Sequence, residues 1–146
     1  MESICILEAQ IDDSSGEMMG YAMERLFAAG ALDVYYTPVY MKKNRPGVLI
    51  SVLVLEDHAN RCEEILLMET TTIGVRRSIW KRRKLDRRIV TVATSFGEIR
   101  IKQALWNGRI VNQAPEYEDV AQASRKHCAP FKVIYWDAMK YGEIEE

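Results

Sequence analysis

Three polar segments hold the residue types in this chain that could do chemistry. They are Ile11-Asp12-Asp13-Ser14-Ser15-Gly16-Glu17, Met41-Lys42-Lys43-Asn44-Arg45-Pro46-Gly47 and Glu69-Thr70-Thr71-Thr72-Ile73-Gly74-Val75-Arg76-Arg77. Asp12, Asp13 and Glu17 offer carboxylate oxygen to a hard cation such as Mg²⁺ or Mn²⁺. The same acids would also suit a helix start, and spacing does not choose among them. Lys42, Lys43 and Arg45 crowd into one turn, where Lys acts as a point charge for phosphate and Arg can grip two oxygens at once. Pro46 fixes its φ and Gly47 frees its own, so the turn reads as rigid. Thr70, Thr71 and Thr72 are poor helix formers, and their hydroxyls and N–H groups leading into Gly74 could cradle an oxyanion or simply end a helix. Arg76 and Arg77 alternate sides of the strand that follows, and Arg76 is read as the one facing the rim. Carboxylates, cations and hydroxyls on one rim are what a metal-bound phosphorylated ligand requires.

The elements that must position these segments follow from periodicity. Ser3 to Ile11 reads as a buried strand. Ser14 and Glu17 have capping-box spacing, and Met19, Met23, Leu26 and Phe27 recur at helical spacing up to Gly30. Leu32 to Tyr40 and Val48 to Leu55 read as a hairpin around the lysine-rich turn. Asp57 is placed as the cap of a second helix with Cys62, Ile65, Leu66 and Met68 on its apolar stripe. Val75 to Leu85 reads as a fourth strand. The order βαββαβ is the ferredoxin-like plan, an α+β fold with an antiparallel sheet. There the first two strands run one way and the last two the other, so all three polar connections share one end of the sheet. The remainder reads as a hairpin of Ile89 to Thr94 and Glu98 to Leu105, a loop from Trp106 to Ala114, a helix from Pro115, a short helix from Pro130 and a fraying acidic tail. Residues 1–88 are thus expected to form the core, and residues 89–146 a hairpin and helical appendage of the same domain.

With 146 residues the chain has the size of one domain. No signal peptide or long apolar run indicates secretion or membrane insertion. Cys5, Cys62 and Cys128 are odd in number and far apart, which fits a reducing cytoplasm better than a disulfide framework. Net charge is −1, yet between Lys42 and Arg88 there are 12 Lys or Arg against 6 Asp or Glu. That asymmetry favours an anionic ligand over general nucleic-acid binding. The Lys81-Arg82-Arg83-Lys84 run reads as a solvated strand or an edge guarded against pairing. His58 and His127 lack metal-ligand spacing, and no Ser-His-Asp or Cys-His arrangement can be drawn. Trp80, Trp106 and Trp136 read as packing or interface anchors.

The Ile11 to Glu17 run, Pro38-Val39-Tyr40-Met41-Lys42-Lys43-Asn44-Arg45-Pro46-Gly47, Glu69-Thr70-Thr71-Thr72-Ile73-Gly74-Val75-Arg76 and Pro115-Glu116-Tyr117-Glu118-Asp119 resemble the C-terminal part of the LarC nickel-insertion proteins. Glu8-Ala9-Gln10 departs from the family's usual Glu-Thr-Asn. The resemblance implies a nickel chelatase of the lyase class, which places nickel in pyridinium bis-thiocarboxylate mononucleotide by making a nickel–carbon bond. It implies dependence on CTP with Mn²⁺ or Mg²⁺, and completion of the nickel-pincer cofactor of lactate racemase. Lys42, Lys43, Arg45 and Arg76 would then neutralise phosphates beside Thr70, Thr71 and Thr72. Asp12, Asp13 or Glu17 would hold the ion directly or through water. No Walker A sequence is present, so side-chain cations would carry the phosphate contacts. Full-length relatives have a preceding region with a His-rich stretch. This chain is therefore expected to be a separately expressed or truncated C-terminal domain that forms homo-oligomers and works with an N-terminal nickel-binding region or chain. The alternative is a non-catalytic regulatory or oligomerisation module that binds a small anionic metabolite. No membrane or nucleic-acid partner is expected.

Overall fold

The computed structural model describes residues 1–142, so the expected fraying of residues 143–146 lies outside the described residues. The chain divides into two compact units, Met1–Arg83 and Lys84–Glu146. The break falls before residue 88 because Asp86, Arg87 and Arg88 already pair with Leu105, Ala104 and Gln103. The second unit has its own apolar cluster.

In the first unit, β1 (Glu2–Ile11), α1 (Gly16–Ala28), β2 (Asp33–Met41), β3 (Arg45–Val54), α2 (Glu56–Glu69) and β4 (Arg76–Arg82) follow the expected βαββαβ order. The sheet order is β2-β3-β1-β4, and every pairing is antiparallel. Alternation in the central strands buries Cys5, Leu7, Ala9 and Ile11 of β1 with Ile50, Val52 and Val54 of β3. Met19 and Leu26 of α1, with Cys62, Ile65 and Leu66 of α2, close over that face. Each fully buried side chain of this size stabilises by about 1.5–3 kcal/mol relative to an exposed one. Burial pushes the Cys5 and Cys62 thiols above the usual thiol range, so both behave as small apolar groups.

Several local expectations shift. Ser15, not Ser14, is the N-cap of α1 and accepts from the Met18 N–H at 3.1 Å. Leu55 occupies the N-cap of α2 without a side-chain hydrogen bond, and Asp57 lies in the first turn, where its charge suits the helix dipole. Met68 is 76% exposed, because the buried stripe runs through Cys62, Ile65 and Leu66 and the next turn leaves it outside. Phe27 is likewise exposed. The hairpin's left-handed residues are Lys43 (φ 64°) and Asn44 (φ 57°), while Pro46 and Gly47 already belong to β3.

The second unit contains β5 (Asp86–Thr94), β6 (Gly97–Trp106), β7 (Arg109–Pro115), α3 (Tyr117–His127) and α4 (Phe131–Tyr141), with sheet order β5-β6-β7. The segment read as a loop is strand β7. Asn107 (φ 51°) and Gly108 (φ 77°) form the tight turn that returns it along β6. Asn-Gly with both φ positive matches the twist of a two-residue hairpin, which makes it a strand connector rather than a loop centre. Pro115 accordingly ends β7, and Glu116 occupies the N-cap position of α3 without a side-chain hydrogen bond. Ile99, Val120, Ala123, Ile134 and Ala138 form the core. Among the described residues no helix is long and apolar enough to cross a membrane.

Candidate functional site

The antiparallel sheet of the first unit brings its three polar connections to one rim, and side chains join them. Thr71 Oγ1 donates to Asp13 Oδ1 at 2.5 Å, and the Thr71 N–H donates to Ser14 Oγ at 3.1 Å. Ser14 Oγ and Thr71 Oγ1 are 2.9 Å apart. Thr71 has one hydroxyl proton and gives it to the carboxylate, so Ser14 must donate in return. Residues 57 and 58 positions apart thus form a closed hydrogen-bonded set. Asp12 Oδ2 lies 3.7 Å from Arg45 Nη1, tying the acidic loop to the lysine hairpin.

Gly47 fixes the distance between those two segments. A Cβ there would stand 2.9 Å from the Ile11 carbonyl oxygen and 2.6 Å from Met41 Sδ. Gly47 therefore serves a close backbone approach rather than a left-handed turn. The hairpin tip carries Lys42 and Lys43, which have no ion pair or hydrogen bond among the described residues.

The threonines divide their roles. Thr70 Oγ1 donates to the Leu66 carbonyl at 2.6 Å and accepts from the Thr72 N–H at 3.3 Å, which terminates α2. Thr72 Oγ1 donates to the Gly74 carbonyl at 2.9 Å. Only Thr71 reaches across to the acidic loop. Arg76 and Arg77 do alternate: Arg77 Nε donates to Glu63 Oε1 and its Nη2 to Asn60 Oδ1, both at 2.7 Å, beneath α2. Arg76 lies on the opposite face, donating to Gln10 Oε1 and at 3.4 Å to Glu8 Oε2. The parts played by Gln10, Glu8 and Ser14 were not foreseen. The alternation of Glu8 and Gln10 with buried Leu7 and Ala9 was the available signal for the first two.

Asp12 and Asp13 come to the rim with separate partners, while Glu17 stands in the first turn of α1. Among the described residues no group of three or more His, Cys, Asp or Glu is gathered to hold a metal ion. The chain can thus offer a divalent ion one or two carboxylates, and ligand oxygens and water must complete the shell. That donor set fits Mg²⁺ or Mn²⁺ carried on a polyphosphate better than a metal held by protein alone.

Known proteins resemble this chain over most of its length. A family model described as nickel insertion protein matches residues 1–135. The pyridinium-3,5-bisthiocarboxylic acid mononucleotide nickel insertion protein of Geobacillus kaustophilus is 54% identical over 137 residues, covering 94% of this chain and 33% of that protein. The protein of the same name from Acetivibrio thermocellus is 46% identical over 134 residues, covering 92% of this chain and 33% of its own length. The chain thus spans about a third of the curated relatives it matches. A solved structure described as LarC2, the C-terminal domain of a cyclometallase involved in synthesis of the NPN cofactor of lactate racemase, in apo form, superposes with a TM-score of 0.91. It is 38% identical and the match covers 96% of both chains.

Proposed function

This chain belongs to the nickel insertion protein family, and on that premise we propose that it is the metal–CTP-binding C-terminal part of a nickel insertase for the nickel-pincer cofactor of lactate racemase. Nickel and the pyridinium mononucleotide are its cargo and substrate, and the nickel-handling groups lie in an N-terminal region or partner chain. One observation carries the nucleotide reading: two lysines with no partner among the described residues stand on a hairpin that is tied to the acidic loop by Asp12 and Arg45.

The residues divide the work. Lys42 and Lys43 neutralise phosphate oxygens, and Arg45 offers its remaining N–H groups beside Asp12. Arg76 adds positive charge from the neighbouring strand. Asp12 and Asp13 accept the ion directly or through its water, and Thr71 holds the Asp13 carboxylate in place. Thr70 and Thr72 keep the α2–β4 connection in the shape that presents Thr71. Bound Mg²⁺ or Mn²⁺ would supply charge neutralisation on the triphosphate. Homo-oligomers in the cytoplasm complete the proposal.

Titration of the chain with CTP, with and without Mn²⁺, tests it. Metal-dependent binding is expected, and Asp12→Asn should weaken it only when metal is present. Equal loss without metal would assign Asp12 to the fold instead. Binding of a different small anion with no response to CTP would favour the regulatory alternative, and a concentration-dependent oligomer with no ligand would favour an assembly role.

A further inference from the structure

The second unit has a basic depression that the nucleotide reading leaves unused. It measures about 700 Å³ and is lined by Arg87, Arg88, Ile89, Lys102 and Glu116. We propose that this depression binds the anionic pyridinium mononucleotide named in the curated relatives, apart from the triphosphate rim. The identity of the ligand rests on the nickel-insertase reading.

The charges are arranged for such a molecule. Ile89 stands opposite Lys102 and Arg87 opposite Ala104, so Arg87 and Lys102 are diagonal neighbours on one face of the β5–β6 ladder. Neither has an ion pair or hydrogen bond among the described residues. Like charges at neighbouring positions repel, and an anion between them removes that cost. Arg88 borders the depression only along the strand: it stands opposite Gln103 on the other face of the ladder, and its Nε donates to Gln103 Oε1 there at 2.7 Å.

The rest of the lining matches the remainder of the ligand. Ile89, 57% exposed, offers an apolar wall to a ring. Glu116 is the one carboxylate, and its N–H donation to the Arg100 carbonyl at 2.8 Å fixes its backbone. Beside Arg87 and Lys102, this single acid gives a positive group of the ligand a partner. It suits a molecule whose ring is positive while its phosphate and ring acids are negative. The volume lies within the range of about 300–1,000 Å³ common for small-molecule sites.

The test uses the whole chain and nicotinic acid mononucleotide, a probe with a pyridinium ring, a ring carboxylate and a phosphate. Calorimetric titration should show saturable binding that Arg87→Ala with Lys102→Ala weakens by about tenfold or more. The same pair should leave the CTP–Mn²⁺ response unchanged. Glu116→Gln should weaken the pyridinium probe but not uridine monophosphate, whose ring is uncharged. Amide chemical shifts provide a second measurement that needs no variant, with changes expected at residues 87–89, 102 and 116. The proposal is overturned if the probe does not bind, if the double variant binds it normally, or if the shifts fall at residues 42–45. Loss of CTP binding by the unaltered chain would instead remove the triphosphate reading, and the two failures are read in separate titrations.

Discussion

Lys43 and Asn44 take up backbone angles that residues with a Cβ usually avoid, at φ 64° and 57°. Left-handed conformations of this kind cost about 1–2 kcal/mol per residue, less for Asn. The hairpin bears that cost while holding two lysines away from any partner among the described residues, so those charges are presented rather than neutralised. Lys42→Ala with Lys43→Ala should weaken CTP–Mn²⁺ binding by about tenfold, or ~1.4 kcal/mol, with the melting temperature little changed. Unaltered affinity would detach the hairpin from the site. Asp119 shows the opposite use of charge. Its oxygens accept from Arg100 Nε at 2.9 Å, from Arg100 Nη2 at 2.7 Å and from the Arg100 N–H at 2.9 Å. The Arg100 guanidinium beside it holds its carboxyl below the usual range. A lowered folded pKa contributes stability above the unfolded value of about 4, and that stability is lost as pH falls through the folded pKa. The urea midpoint should therefore drop on acidification below about pH 4. Asp119→Asn should have a lower midpoint at neutral pH and a flatter acid limb, and identical limbs would dismiss the pair as a stabiliser.

Between elements, the distance from β1 to the β2–β3 hairpin is set by Gly47 against the Ile11 carbonyl oxygen. Backbone oxygen cannot swing aside as a side-chain tip can. Gly47→Ala should cost about 1–3 kcal/mol of stability, and it should weaken nucleotide binding by moving the lysines away from Asp12. Wild-type stability together with wild-type CTP affinity would show that the close approach is unimportant. Arg25 of α1 and Glu69 of α2, 3.1 Å apart, hold the two helices side by side at partial exposure. Tyr36 Oη donates to the Met19 carbonyl at 2.8 Å and joins β2 to α1. These contacts keep the start of α1 and the end of α2 close enough for Ser14 and Asp13 to meet Thr71.

At the scale of the whole molecule, each unit has its own sheet, helices and buried cluster. Residues 1–83 should therefore fold cooperatively alone and bind CTP–Mn²⁺ like the whole chain, as circular dichroism and titration would report. A disordered fragment would show that the first core depends on the second unit. The overall charge of −1 conceals the cationic middle of the chain, which supplies the hairpin lysines of the first site and Arg87 of the second, while Lys102 comes from beyond it.

Periodicity and turn residues sufficed for the βαββαβ order. Strand alternation and helical spacing are local, and the antiparallel plan has few ways to connect them. That order alone already placed the acidic, lysine and threonine segments on one rim. Position by position, much of the site was beyond such patterns. Whether Ser14 or Ser15 caps α1, which threonine crosses to Asp13, and why residue 47 is Gly all depend on contacts between segments distant in sequence. The strand after Asn107-Gly108 was missed because a tight turn and a loop centre share the same residues until a partner strand is present. The tertiary structure decided these points, since hydrogen-bond partners and close approaches exist only once the chain has brought them within reach.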